Sequence, residues 1–420
     1  MVGPEGSAAP VAAPYDEGDV VGSMAVLIRA MLAVGVALVL VAGALGLVRE
    51  GALPTAAVGL VDLPMGVIRL DPAAWGTLGI LVFLATPPAA IAYLGGHFHR
   101  AGDRIYALIA GAVFVLVMSG LAMAWLAQSA PEETYLLAMP LLPETGVLLA
   151  GVLAGAVGVT LGLGGGVFVV PILSVFFGVP MKTAISASAI SVVVNSLGGT
   201  SAYLRDRMTN VRLALVMELS TVLGAIVGGI IVVAIAPQTL RAIFGGSLIV
   251  LALAMLLKPK QTEAMDSGPD PLRLHRVFRD TAAGADVAYV PQRLPLGLSL
   301  SSMAGLISGM LGIGGGVVKM PLLHAVMRVP VKAAAATSVF MVGITVSASA
   351  FVYYVHHLVD LSVAVPAVIG VQLGSRFGAK LSHHTHSSTV VRLLVVVLVY
   401  LGAVLLLQAF GVRVPGSPGP

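Results

Sequence analysis

The chain has 420 residues, of which 58% are hydrophobic and only 10% charged, and its mean hydropathy is +1.02. A water-soluble domain could not stay dispersed with that balance, so the repeated apolar runs, most too long for core strands, mark an all-α polytopic membrane protein. The net charge of +4 does not point to nucleic acid, because the basic residues sit in loops between apolar segments, and the absence of cysteine excludes disulfides, thiolate catalysis and cysteine-ligated metal.

Residues 1–23 hold no Lys or Arg and carry Glu5, Asp16, Glu17 and Asp19. They lack the basic start of a cleavable signal and read as a disordered tail. Residues 24–143 hold three spans: Met24 to Val48, Trp75 to Gly95 with an interruption at Pro87 and Pro88, and Ile105 to Gln128. The next apolar run, Thr145 to Phe177, is too long for one ordinary span. Glycines at its middle divide it into helical pieces of about 16 and 12 residues, roughly 24 and 18 Å long, each short of a hydrocarbon core about 30 Å thick. Spans near Thr183 to Tyr203, Leu213 to Ile235 and Ala242 to Leu257 complete a unit over 144–257. Residues 258–295 mix both signs of charge and read as a cytoplasmic linker. Residues 296–411 then repeat the plan, with a glycine-broken segment from Leu296 to Met327 and spans near Ala333 to Tyr354, Leu361 to Ala379 and Val391 to Phe410. Gly, Ser and Pro dominate a tail over 412–420.

The two units are copies. Leu161, Gly162, Leu163, Gly164, Gly165, Gly166 and Val167 recur as Leu311, Gly312, Ile313, Gly314, Gly315, Gly316 and Val317, an offset of 150 residues. The register continues through Pro171 and Pro321, Lys182 and Lys332, Ser188 and Ser338, Tyr203 and Tyr353, Gly224 and Gly374, and Gly228 and Gly378. A register held that far without a gap implies a duplicated structural unit.

Orientation follows from Lys and Arg. If each broken segment enters and returns on one side, with the N-terminus in the cytoplasm and the C-terminus outside, sixteen basic loop residues lie inside and five outside: Arg49, Arg69, Lys182, Arg241 and Arg413. If both segments cross, the bias reverses to nine inside and twelve outside. The expected architecture is therefore two inverted repeats, each a glycine-broken re-entrant hairpin plus three transmembrane helices, preceded by three extra spans.

Backbone polar groups in hydrocarbon must be paired, so a glycine-rich break is tolerable only inside protein or beside a watered cavity. Helices restarting at Gly166 and Gly316 would aim positive dipole ends at the midplane, which suits anions. That makes Gly164, Gly165, Gly166, Gly314, Gly315 and Gly316 candidate substrate contacts; the alternative is that glycine merely permits close helix packing. Lys319 lies mid-segment where the first unit has Val169. A lysine in hydrocarbon costs about 2.5 to 3.5 kcal/mol, so it needs a partner: an anionic substrate, or an internal ion pair with Glu218, the most deeply placed acid. Glu218 is also the candidate coupling residue. Among hydroxyl-rich spans, Ser188, Asn195, Ser338 and Thr345 are preferred because they match across the two units, although such groups often bond only to their own helix. His383, His384 and His386 read as a solvated loop rather than a metal site, and HExxH, GxxxxGK[ST] and GxSxG motifs are absent. No cofactor and no metal are expected.

The paired LGLGGGVFVVP and LGIGGGVVKMP stretches, each followed by a VPxK turn and a small, hydroxyl-rich helix, resemble the TauE/SafE family of membrane proteins, the sulfite exporter and sulfonate permease group. The resemblance covers roughly Gly146 to Phe410 and leaves the first three spans outside. It implies a transporter of sulfite, sulfonates or related sulfur-containing anions and supplies no residue roles beyond the glycine stretches. The expected function is a plasma-membrane carrier of a small oxyanion, exporting by alternating access between the two tips, with the lipid bilayer and the anion as its partners and homo-oligomerisation left open. The rival expectations are a passive anion channel and, from another class, a membrane-embedded enzyme.

Overall fold

A backbone surrounded by hydrocarbon has to satisfy its own hydrogen bonds, so each long apolar run closes into a helix. The computed structural model describes residues 18–126, 144–160, 166–256, 270–280, 285–382 and 387–412. Among them, six helices are long and apolar enough to cross a bilayer.

The N-terminal body consists of α1 (Gly18–Arg49), the short α2 (Leu63–Ile68), α3 (Pro72–Arg100) and α4 (Arg104–Leu126). Helix α1 begins at Gly18, inside the stretch expected to be a tail. Asp71 starts α3 by accepting the Ala73 N–H at 2.9 Å, with Pro72 in the first turn where its missing N–H is harmless. The interruption expected at Pro87 and Pro88 is absent, since α3 runs through both. Both prolines are buried among neighbouring helices, and Thr86 donates its hydroxyl to the Val82 carbonyl at 2.7 Å, the local help that lets membrane helices carry proline.

The first unit is α5 (Glu144–Thr160), α6 (Gly166–Pro171), α7 (Met181–Arg205), α8 (Val211–Ala234) and α9 (Pro237–Leu256). The second is α10 (Leu294–Leu311), α11 (Gly316–Pro321), α12 (Val331–Val355), α13 (Leu361–Ser382) and α14 (Ser387–Ala409). Helices α6 and α11 each end on a proline and continue into a five-residue π-helical turn, Ile172–Phe176 and Leu322–Val326. The missing proline N–H breaks the ordinary ladder at that junction. The linker, expected to be a solvated connection or a small surface element, carries a hairpin of β1 (Arg276–Asp280) antiparallel to β2 (Ala285–Tyr289). The first limbs are close to the length of about 16 residues expected in the first unit: α5 has 17 residues and α10 has 18, about 26 and 27 Å at ~1.5 Å per residue.

Glycine decides how the two units interlock. A Cβ at Gly305 would strike the Thr221 carbonyl, at Gly309 the Ala225 carbonyl, at Gly224 the Ser302 carbonyl and at Gly228 the Leu306 carbonyl. Helices α8 and α10 therefore touch backbone to backbone and run parallel. The same contact recurs between α5 and α13, where Gly151 faces Ala367, Gly155 faces Val371, Gly370 faces Leu148 and Gly374 faces Val152. In hydrocarbon, where apolar burial gives no net drive between helices, such close approach is a principal source of association. The corresponding helices of the two units run antiparallel. Ser186 Oγ reaches Leu358 O at 2.7 Å while Ser196 Oγ reaches Val339 O at 2.6 Å, which opposes α7 to α12 and its flanking loop. Gly245 meets Leu406 and Gly402 meets Ile249, which opposes α9 to α14. Helices α7 and α12 form the buried centre.

Candidate functional site

The second glycine break packs against Gly166, the first described residue after the first glycine run. Gly312 closes α10 in the left-handed conformation at φ 62°, and Gly314 and Gly315 follow at φ 85° and 63°, positions that penalise any side chain. Gly312 to Gly316 are all buried. Gly166, which opens α6, faces this turn so closely that a Cβ on it would lie 3.0 Å from Gly312 O and 3.1 Å from Ile313 Cα. Ser188 staples the junction. Its hydroxyl lies 3.2 Å from Gly166 O and 3.0 Å from Gly312 O, sharing one proton between a carbonyl of each unit. Gly164 and Gly165 lie outside the described residues.

Lys319 follows one turn later, its N–H bonded to Gly315 O at 2.8 Å. Of the two partners the sequence leaves open, the structure supplies the internal one. Lys319 Nζ lies 3.1 Å from Glu218 Oε1 and also donates to Thr345 Oγ1. Thr345 in turn donates to Glu218 Oε1 and Oε2 at 2.8 and 2.9 Å. All three residues have 0% exposure. The triad joins α8 of the first unit to α11 and α12 of the second. Its repeat-related positions hold Val368, Val169 and Asn195, so the charge belongs to one side only.

The other candidates divide. Asn195 accepts a hydrogen bond from Ser375 Oγ on α13 at 2.6 Å. Ser338 is buried on α12 with 2% exposure. Ser191, Ser347 and Ser349 donate back to carbonyls of their own helices, Ala187, Ile344 and Val346, the packing role expected of most hydroxyls here. One residue at the break escapes sequence reasoning. Ser308 is fully buried and its hydroxyl has no hydrogen-bond partner among the described residues, while a Cβ on Gly315 would sit 3.2 Å from that oxygen. Its repeat partner is Gly158, so the matching of the units that flags Ser188 and Ser338 passes it over.

The N-terminal body is fastened to the units at both ends. At one end, Arg212 on α8 pairs with Asp103 at 2.9 Å, and its guanidinium lies 4.6 Å from the Tyr106 ring centre and 5.7 Å from that of Phe98. Tyr106 donates to Leu272 O of the linker at 2.5 Å. Beside it, Asn210 donates its backbone N–H to Thr337 Oγ1 at 3.0 Å and its side-chain amide to Leu274 O at 2.9 Å. At the other end, Leu361 N donates to Thr55 O at 2.8 Å and Tyr354 OH to Val58 O at 2.7 Å.

Residues 147–405 match the family described as sulfite exporter TauE/SafE. Residues 24–122 separately match a family described as a protein of unknown function, DUF1634. The chain is 26% identical over 269 residues to the probable membrane transporter protein YunE of Bacillus subtilis (strain 168), covering 62% of this chain and 97% of that one. It is 26% identical over 270 residues to a probable membrane transporter protein of Methanocaldococcus jannaschii, covering 60% and 90%. A probable membrane transporter protein of Xylella fastidiosa (strain 9a5c) is 29% identical over 233 residues, covering 54% and 82%. No solved structure matches. These names point to membrane transport rather than to an enzyme. With a match spanning both glycine-broken units and the helices that enclose them, the chain belongs to the sulfite exporter TauE/SafE family of membrane transporters.

Proposed function

We propose that the protein is a cell-membrane carrier of small sulfur-containing oxyanions, sulfite or an organosulfonate, which it exports by alternating access. The observation that carries this reading is the contact of the α6 start with the second break, Gly166 against Gly312 and Ile313 with Ser188 between the Gly166 and Gly312 carbonyls. Non-helical backbone at membrane depth survives only where protein encloses it or water reaches it, and paired helix breaks near the midplane are where many transporters hold cargo. The antiparallel relation of α7 to α12 and of α9 to α14 supports inverted halves. The return limbs of six helical and five π-helical residues, about 17 Å at ~1.5 Å per residue, support re-entry over crossing. In this reading the N-terminus is cytoplasmic and the C-terminus outside.

When the tips part, Gly164, Gly165 and Gly166 on one side and Gly314, Gly315 and Gly316 on the other line the cargo site. Ser188, Ser338 and Ser308 stand beside them as hydroxyl donors, and Lys319 supplies the positive charge. The substrate class rests on the family description, sulfite exporter. An interior-negative membrane drives anions outward by about 2.3 kcal/mol per charge per 100 mV.

The test is flux through the purified chain in liposomes, comparing sulfite, sulfate, thiosulfate, sulfoacetate and acetate. Saturable, trans-stimulated flux of sulfite or a sulfonate above that of acetate supports the carrier. No flux of any of them overturns it, large unitary conductance without trans-stimulation identifies a channel, and chemical conversion of the anion identifies an enzyme.

A further inference from the structure

A cargo anion and Glu218 compete for one cation. Lys319 Nζ lies 3.1 Å from Glu218 Oε1, with Thr345 bridging the two, and all three residues have 0% exposure. Lys319 lies in the first turn after the second break, its N–H bonded to Gly315 O. Among the described residues, the ionisable groups on the elements packed around the pair include His324, buried on the π-helical turn five positions after Lys319, with its Nδ1 2.9 Å from Val329 O. Helix α10 contains no ionisable residue. Those of α4 are Arg104 and Tyr106 at its first turn, beside Arg212, which is six positions before Glu218 and paired with Asp103. On α12, Lys332 stands at the start and Tyr353 and Tyr354 at the end, with Tyr353 OH donating to Gly309 O.

Closed up, the pair is neutral. If an oxyanion took the Lys319 ammonium while Glu218 stayed ionised, the enclosed site would carry one uncompensated negative charge, which a low-polarity interior penalises heavily. The neutral alternative adds a proton to the Glu218 carboxylate. A carboxyl O–H forms, the ion pair to Lys319 opens, and the ammonium N–H groups pass to the cargo oxygens, while Thr345 stays within reach of the carboxyl group.

We propose that Glu218 is the proton-carrying residue of this protein, taking up one proton for each anion that displaces it from Lys319 and returning it when the anion leaves. This rests on the carrier reading above. The stoichiometry is one, because Val368, Val169 and Asn195 leave the repeat-related position without a second pair. A monoanion then moves with no net charge. A dianion moves with one net negative charge and is still pushed outward by an interior-negative potential.

The experiment uses the full chain in liposomes loaded with a pH-reporting dye. Isethionate serves as a monoanion at every working pH, and sulfoacetate as a dianion. One lumenal proton should appear per isethionate taken up, and isethionate accumulation should ignore an imposed potential while rising about tenfold per pH unit. Sulfoacetate accumulation should shift about tenfold for each ~59 mV. Glu218→Gln should still exchange isethionate for isethionate but lose net uptake and proton movement, because its empty site would hold an unpaired ammonium. Isethionate entering without a proton, or Glu218→Gln moving protons at the wild-type ratio, overturns the proposal while leaving the carrier standing. No flux of any anion through the wild-type protein overturns the carrier reading and this proposal with it. If the glutamine variant does not fold, the proton count and the response to potential in the wild-type chain decide the matter alone.

Discussion

Thr221 Oγ1 and Ser301 Oγ lie 2.6 Å apart in a seam where Gly224, Gly228, Gly305 and Gly309 bring the backbones of α8 and α10 into contact. That seam crosses from one unit to the other, so its closeness should be required for assembly. Gly305→Val places side-chain carbons on the Thr221 carbonyl and should cost at least about 1–3 kcal/mol by overpacking. Gly246→Ala on α9, which meets nothing within 4 Å, should be neutral or stabilise by roughly 0.5–1 kcal/mol. Thermal unfolding of the detergent-solubilised variants checks both, and equal losses would count against the seam.

Sequence alone predicts that Lys319→Met abolishes transport and leaves folding intact. The ion pair changes the second half of that expectation. Removing Lys319 strands the Glu218 carboxylate in a fully buried place, and breaking such a pair typically costs about 3–5 kcal/mol. The double variant Glu218→Met with Lys319→Met should recover most of that stability, since apolar replacement of both partners is often neutral or better. It should recover no transport. Melting temperature and flux measured on the same preparations separate the two effects.

Ser188 donates to a carbonyl of each unit, Gly166 O and Gly312 O. Ser188→Ala leaves the Gly166 and Gly312 carbonyls without it in a buried place and should cost about 1–3 kcal/mol. Ser191→Ala, which removes a bond only to Ala187 of its own helix, should cost markedly less. Comparing their unfolding midpoints tests whether the staple is structural, and comparing their anion fluxes tests whether it gates.

Asp360 lies in the turn between α12 and α13, where burial pushes its carboxyl above the usual carboxylate range despite the bonds donated by Ser362. A carboxyl whose pKa is raised in the folded state favours folding when protonated. Its contribution is full below the ordinary carboxylate pKa and is lost as the pH rises through the raised value. Asp360→Asn should therefore flatten the rise of melting temperature on acidification over that window and be no less stable than the wild type at neutral pH. A uniform loss of stability at every pH would contradict this.

How much of this can be read from residues alone depends on where the cause lies. The breaks are legible because left-handed backbone at Gly314 and Gly315 demands glycine and because the run occurs twice in register. Glu218 and Lys319 are legible because a charge in an apolar span needs a reason. Thr345 is flagged only as the counterpart of Asn195, yet the two do different things, because the lysine has no equivalent in the first unit. Ser308 shares α10 with Ser299 and Ser301, whose hydroxyls meet Pro295 O and Thr221 Oγ1, and only packing separates these from the hydroxyl that has no partner among the described residues. Asp103 and Arg212 stand 109 positions apart, where a sequence shows two loop charges and nothing of their meeting. Pro87 and Pro88 mislead for the opposite reason, since their local penalty is offset by neighbours that no local rule contains.

The clasps at the two ends of the N-terminal body have a consequence for how the chain can be divided. A cut between residues 126 and 144 would open contacts at both ends of that body. The larger piece would keep Arg212 without the carboxylate of Asp103 and Leu361 N without the carbonyl of Thr55. The first hundred or so residues thus grip the duplicated portion at both of its ends, and any change in spacing between Asp103 and Arg212 or between Thr55 and Leu361 has to be absorbed on both sides of the clasp.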